Sequence, residues 1–256
     1  MKKLTRRQVV LGIGAAGAGA ALAPLALREK QVAAISPSAL PSCTVTPQQT
    51  EGPFYFDTKM IRQDITEGRP GTVLDLKLKV VDEACEPVRD AVVDIWSCDA
   101  GGIYSGYETV YTKDGEFKEQ RGRPMDRSKP ENKDRPRFHQ EPNNDKTYLR
   151  GAQVTDAKGE VAFKTIYPGW YPGRATHIHI KVYLENNEVF TSQLYFPEEV
   201  NEAVYGAEAY STKSGNRTMN ADDGIFKRQG KRGPIAEMTK VEGGYVGTLT
   251  FGIERA

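Results

Sequence analysis

The chain has 256 residues, a formal charge of +1 at pH 7, 38% hydrophobic residues and 9% aromatic residues. That length holds one domain or two small ones, and the near-neutral balance leaves no basic footprint for nucleic acid. The apolar content excludes wholesale disorder.

Residues 1–34 read as an export signal and linker, leaving 35–256 as one domain. Lys2, Lys3, Arg6 and Arg7 form a basic start, followed by a weakly hydrophobic Ala/Gly/Leu run. In TRRQVVL, Arg6 and Arg7 precede apolar Val9, Val10 and Leu11, the look of a twin-arginine signal. The expectation is export to the periplasm or the extracellular space, with no stable membrane span once the signal is removed. Leu40-Pro41-Ser42-Cys43 faintly resembles a lipidation site, but Arg28, Glu29 and Lys30 separate it from the apolar run.

Residues 35–50 are rich in Pro, Ser, Thr and Gln and read as an extended lead-in. Leu74, Leu76, Leu78 and Val80 alternate with Asp75, Lys77 and Lys79, the pattern of a half-buried strand. Glu86-Pro87 marks a turn, and 91–96 is the next strand, so 74–81 and 91–97 are expected to form a hairpin. The three cysteines, Cys43, Cys85 and Cys98, allow one disulfide and one free thiol. The hairpin would put Cys85 near its turn and Cys98 near its far end, which favours Cys43 with Cys98. Residues 107–148 are dominated by charge, Pro, Gly and Asn and are expected to be a long surface loop.

A strand over 161–166 follows the turn 156–159. Residues 176–184 and 188–196 form a hairpin about Asn186-Asn187, since Asn tolerates the positive φ of such turns. Pro197 opens a short helix near 198–205. A last hairpin joins 238–241 to 245–253 about Gly243-Gly244. Closely spaced strands with almost no helix predict an all-β fold, a β-sandwich of antiparallel strands with long loops.

The chemistry concentrates in YPGWYPGRATHIHIKV, residues 167–182. His177 and His179 form an H-x-H pair on a strand, so both rings face one side while Ile178 and Ile180 face the other. Two imidazoles so placed chelate one metal ion. Tyr167, Tyr171 and Arg174 lie just upstream. Tyrosine suits a hard, highly charged ion that holds it as phenolate at neutral pH, which points to a non-haem ferric site. The alternatives are a zinc hydrolase recruiting His139 with His177 and His179, and a non-catalytic sandwich that only binds.

Four stretches in series carry a family likeness: TPQQTEGPFY (46–55), VDIWSCDAGGIYSGY (93–107), TIYPGWYPGRATHIH (165–179) and TSQLYF (191–196). The chain resembles the intradiol ring-cleavage dioxygenases, the family of protocatechuate 3,4-dioxygenase and catechol 1,2-dioxygenase. The resemblance implies one iron(III) per chain, held by Tyr104, Tyr171, His177 and His179. It implies insertion of both atoms of O2 into a catechol-type diol, with cleavage between the two hydroxyl-bearing carbons to a cis,cis-muconate-type diacid. Tyr171 would also leave the metal to take a substrate proton, and Arg174 would stabilise the electron-rich ring. By the same resemblance Pro53, Tyr55 and Gln193 border the substrate. The stretch between Tyr171 and Arg174 is shorter than in the catabolic enzymes, and 107–148 is long and charged. Both departures bear on which diol is accepted.

Overall fold

The computed structural model describes residues 43–111, 117–133, 137–211, 213, 215–228 and 234–255. The expected signal and linker, 1–34, lie outside the described residues. In chain order the strands are β1 (Val73–Asp82), β2 (Val92–Trp96), β3 (Glu108–Tyr111), β4 (Phe117–Arg121), β5 (Arg123–Pro124), β6 (Gln140–Glu141), β7 (Arg150–Val154), β8 (Glu160–Ile166), β9 (His177–Leu184) and β10 (Asn187–Tyr195). Helix α1 (Glu198–Tyr205) and the single turn α2 (Gly224–Lys227) precede β11 (Glu237–Val241) and β12 (Gly244–Ile253). No helix among the described residues is long and apolar enough to cross a membrane.

Two four-stranded sheets make the sandwich, in orders β11-β12-β1-β8 and β10-β9-β2-β7. β1 behaves as its alternation demands: Leu74, Leu76, Leu78 and Val80 are at most 1% exposed, while Asp75 and Lys77 face solvent. Its neighbours are β8, antiparallel, and β12, parallel. Ile95, Ile178, Ile180, Val182 and Leu194 of the other sheet close the core against Leu76, Phe163 and Phe251.

Three expectations are corrected. β1 and β2 are not a hairpin: after a tight turn, in which Val88 N–H donates to the Val80 carbonyl, the chain crosses to the other sheet. The disulfide is therefore Cys43–Cys85, with Cα atoms 5.0 Å apart, and Cys98 is the buried free thiol. Cys85 sits in the turn after β1 at φ +67°, where the Asp82 carboxylate holds the backbone N–H groups of Ala84 and Glu86. Cys43 N–H donates to Glu83 across it, which brings the lead-in alongside. With its sulfur in that bridge, Cys43 offers no thiol for lipidation. Finally, the segment 107–148 is not structureless: it contains the β3–β4 and β5–β6 pairs and a 3₁₀ turn at Pro130–Asn132, and it buries Gln120 and His139.

Other expectations hold with small shifts. The β9–β10 turn is centred on Glu185 and Asn186, at φ +49° and +66°, one residue earlier than expected. α1 covers 198–205.

Candidate metal centre

His177 and His179 leave the face of β9 turned away from the sandwich core. Their Nε2 atoms lie 3.1 Å apart. Tyr171 Oη is 3.1 Å and Tyr104 Oη 3.3 Å from His177 Nε2. The four residues expected to share a metal thus converge on one point. Tyr104 is fully buried, whereas Tyr171 is half-buried at the mouth of the site.

The hydrogen bonding of this cluster is contradictory without a cation. His177 Nδ1 donates to the Ala175 carbonyl at 2.6 Å, so Nε2 presents a lone pair. Burial, then the Arg174 charge, pushes His177 down to about 3, and burial with His177 lowers His179 as well. Both rings are neutral, and the one lone pair on His177 Nε2 faces two phenol oxygens and a second imidazole. A metal ion among the four donors removes the conflict. Burial raises the Tyr104 phenol well above its ordinary value and Tyr171 up to about 12. Only a strongly polarising cation would hold them as phenolates, so the donor set fits a hard ion.

Each donor is delivered by local structure. β9 fixes the histidine pair, opposite Tyr195 and Gln193 on β10. His179 is clamped on both sides: Trp96 stacks on its ring at 4.7 Å between centroids, 6° from parallel. Gly52 covers its edge, where an added Cβ would lie 3.2 Å from Cε1, and its φ of +71° suits glycine. Tyr104 follows the turn in which Gly102 N–H donates to Asp99. Gln120 then bridges that turn, accepting from Tyr104 N–H and donating to the Gly102 carbonyl. Tyr107 instead packs on Phe54, and Tyr167 donates to Asn201, so both are structural.

Arg174 reaches the same point, with Nη1 3.5 Å from His177 Nε2. Its Nε donates to Asp223 at 2.9 Å, and Nη2 donates to Gln193 Oε1 and to Tyr195 Oη. Burial opposes its charge, but Tyr171, Asp223 and Tyr195 outweigh burial and hold it firmly protonated. Burial likewise pushes Asp223 upward, yet Arg174 and the N–H groups of Ala175 and Phe226 hold its carboxylate below the usual range.

A cleft of about 420 Å³ opens over the donors, lined by Thr50, Pro53, Phe54, Gln120, Tyr171 and Arg174 among others. Pro53 lines it. Two other expected contacts move. Tyr55 is 3% exposed and turned away, with its hydroxyl on Asp94 and Tyr183 and its ring on Trp96. Gln193 is fully buried and does not line the cleft; it fixes Arg174 while donating to the Thr50 carbonyl at 2.8 Å. His139 is also elsewhere, its Nδ1 2.8 Å from Glu51. Among the described residues no group of three His, Cys, Asp or Glu side chains is placed to hold a metal, which removes the three-histidine zinc site.

Asp223, Gln120 and Gly52 were not singled out from sequence. Asp223 carried a signal, since it caps α2 by accepting from Ile225 and Phe226 N–H, but nothing local ties that cap to Arg174. Gln120 lies in the charged stretch, where periodicity fails.

Comparison with known proteins identifies the family. A family described as Dioxygenase matches residues 47–128. An intradiol ring-cleavage dioxygenase from Tetranychus urticae is 30% identical, with a TM-score of 0.68, covering 83% of this chain and 95% of that one. The dioxygenase domain of a dioxygenase–carbohydrate-binding fusion from Streptomyces sp. SirexAA-E is 25% identical, with a TM-score of 0.55, covering 83% of this chain and all (100%) of that one. The protocatechuate 3,4-dioxygenase beta chain of Burkholderia cepacia is 28% identical over 155 residues, so the match spans 57% of this chain and 53% of that relative. The chain belongs to the intradiol ring-cleavage dioxygenases.

Proposed function

We propose that the protein is a non-haem iron(III) dioxygenase that opens the ring of a catechol-type diol between its two hydroxyl-bearing carbons, inserting both atoms of O2. The observation that carries this reading is the meeting of two phenol oxygens and the His179 imidazole nitrogen around the single lone pair of His177. Tyr104, Tyr171, His177 and His179 would hold the ion. Once bound there, iron(III) would draw electron density from a chelated diol and open its ring carbon to dioxygen. The diol supplies all four electrons, so no reductant is required.

The protein's own groups divide the remaining work. Tyr104, enclosed and hydrogen-bonded through its backbone to Gln120, is the fixed oxygen ligand. Tyr171 lines the cleft, so its Oη can swing aside and take one of the two protons a diol gives up on chelation. Arg174 holds a fixed positive charge at the cleft wall, oriented by Asp223 and Gln193, where negative charge grows on the ring. Phe54, Pro53 and Pro172 make that wall apolar, which excludes water and strengthens the charge interaction.

Purified protein should carry one iron per chain, show a red-brown phenolate-to-iron band, and consume one O2 per diol opened. Stoichiometric zinc in a colourless protein that is active without iron would overturn the assignment. We also propose export by the twin-arginine route. The Arg6-Arg7 pair supports it, and so does the Cys43–Cys85 disulfide, which suits an oxidising compartment. Arg6→Lys with Arg7→Lys should strand folded protein in the cytoplasm; unchanged export would refute this route.

A further inference from the structure

Arg150 opens β7 and is only 1% exposed. Its Nε donates to Ser105 Oγ at 2.8 Å and its Nη2 to the Ser105 carbonyl at 2.9 Å, so it grips the residue after Tyr104 at two points. The Ser105 hydroxyl in turn donates to the Tyr148 carbonyl at 2.8 Å. The guanidinium carbon lies 4.1 Å from the centre of the Phe56 ring and 5.7 Å from that of Tyr107. Nη1 is buried and meets no hydrogen-bond acceptor. Among the described residues no carboxylate forms an ion pair with Arg150.

A cation buried in this way is costly unless something offsets it. Two neutral acceptors and two ring faces supply part of the offset. Burial lowers the guanidinium below its ordinary value, and negative charge on Tyr107, Tyr104, Asp94 or Tyr148 would act the other way. Three of these four groups point elsewhere or stay neutral. Tyr107 donates its hydroxyl to the Gln140 carbonyl, burial pushes the Tyr148 phenol up to about 12, and Asp94 turns its carboxyl to Tyr55. Tyr104 remains, next in the chain to the Ser105 that Arg150 holds. The same positive charge also disfavours protonation of His179, after burial, His177 and Arg174.

Resting on the ferric reading of the site, we infer that Arg150 is a positioning residue for the Tyr104 ligand: it fixes the Tyr104 turn through Ser105 and keeps a permanent positive charge beside the ligand oxygen's residue. The grip holds Tyr104 in place for the iron. The charge stabilises electrons on a bound phenolate, so transfer of an electron from phenolate to iron(III) takes more energy. The two effects are separable, because lysine keeps the charge without the planar fork and glutamine keeps a donor without the charge.

The test uses iron-loaded Arg150→Gln, Arg150→Lys and Ser105→Ala, and reads the position of the visible band and the rate at which a strong chelator removes iron. Arg150→Gln should move the band to longer wavelength and release iron on the order of tenfold faster than the unmodified protein. Arg150→Lys and Ser105→Ala should leave the band close to its original position, because the charge stays, while iron release still quickens. An Arg150→Gln protein that folds and binds iron with its band unmoved would reduce Arg150 to a packing residue and overturn the inference. If Arg150→Gln does not fold, the other two variants decide: iron release at the unmodified rate in both would overturn it. A colourless unmodified protein after iron loading would instead overturn the ferric reading, and this inference with it.

Discussion

On one face of β9, Ile178, Ile180 and Val182 are sealed between the two sheets; on the other, His177, His179 and Lys181 are almost as thoroughly buried. The apolar face asks only for volume, and neighbours of the right size supply it. The polar face must have each atom met by a partner. Lys181 reaches Glu51 at 2.7 Å and Glu188 at 2.6 Å. His177 is fixed by the Ala175 carbonyl, and its Nε2 faces Tyr104, Tyr171 and His179. Equal burial therefore means different things on the two faces: net stabilisation inward, and a costly but specific arrangement outward.

The largest expected effect separates the faces directly. His177→Ala should lose the iron and the visible band and reduce ring cleavage to background, while the sheets persist by circular dichroism. Ile180→Ala should do the converse, costing about 2–5 kcal/mol of stability through the cavity it leaves while keeping iron stoichiometry and colour. If Ile180→Ala also emptied the metal site at temperatures where it stays folded, the two faces would not be separable.

A smaller effect is expected at Arg174, which belongs to the polar face but is not a ligand. Arg174→Gln should keep iron and colour while kcat falls on the order of 10²–10³, as for loss of one preorganised charge-stabilising group. A rise in KM alone would make Arg174 a substrate anchor only. Asp223→Asn keeps the shape and removes the charge that orients Arg174, so its loss in kcat should be smaller and in the same direction.

The mildest test uses pH. Burial raises the Asp94 carboxyl to about 7, against the hydrogen bond from Tyr55. That lies above its unfolded value of about 3.9, so the folded state holds this proton more tightly. The contribution to stability is full below the unfolded value and is lost as the pH rises through the folded one. Asp94→Asn should remove that decline, seen in denaturant midpoints measured across this range. An unchanged pH profile would mean that Asp94 is charged throughout and that the polar face tolerates a buried carboxylate.

The sequence made the contents of these faces legible before it made their partners legible. Alternation placed Leu74 to Val80 and His177 to Ile180 correctly, because period two follows from strand geometry alone. The same alternation did not say which strand would cover another, so β1 and β2 looked like a hairpin although they lie in opposite sheets. The cysteine pairing failed for the same reason: Cys85 belongs to a turn that swings toward the lead-in, not toward Cys98. Gln120 and His139 were hidden in a stretch whose composition reads as solvent-facing. Their burial depends on pairing between segments, and no local pattern records it. The likeness of their motifs singled out Tyr104, Tyr171, His177 and His179, which the fold brings together, whereas Asp223 meets Arg174 from 49 residues away.

The pairing of β1 with β12 carries a consequence for how the chain assembles. β1 is an inner strand, yet one of its two ladders joins Val73 to Gly244 and runs to Asp82 with Ile253. While the ribosome is still adding β12, β1 has β8 on one side and an unpaired edge on the other, ready to recruit another chain. Such long-range parallel pairing is slow to nucleate. The sandwich is therefore expected to close late, with the β1 edge open until β12 arrives.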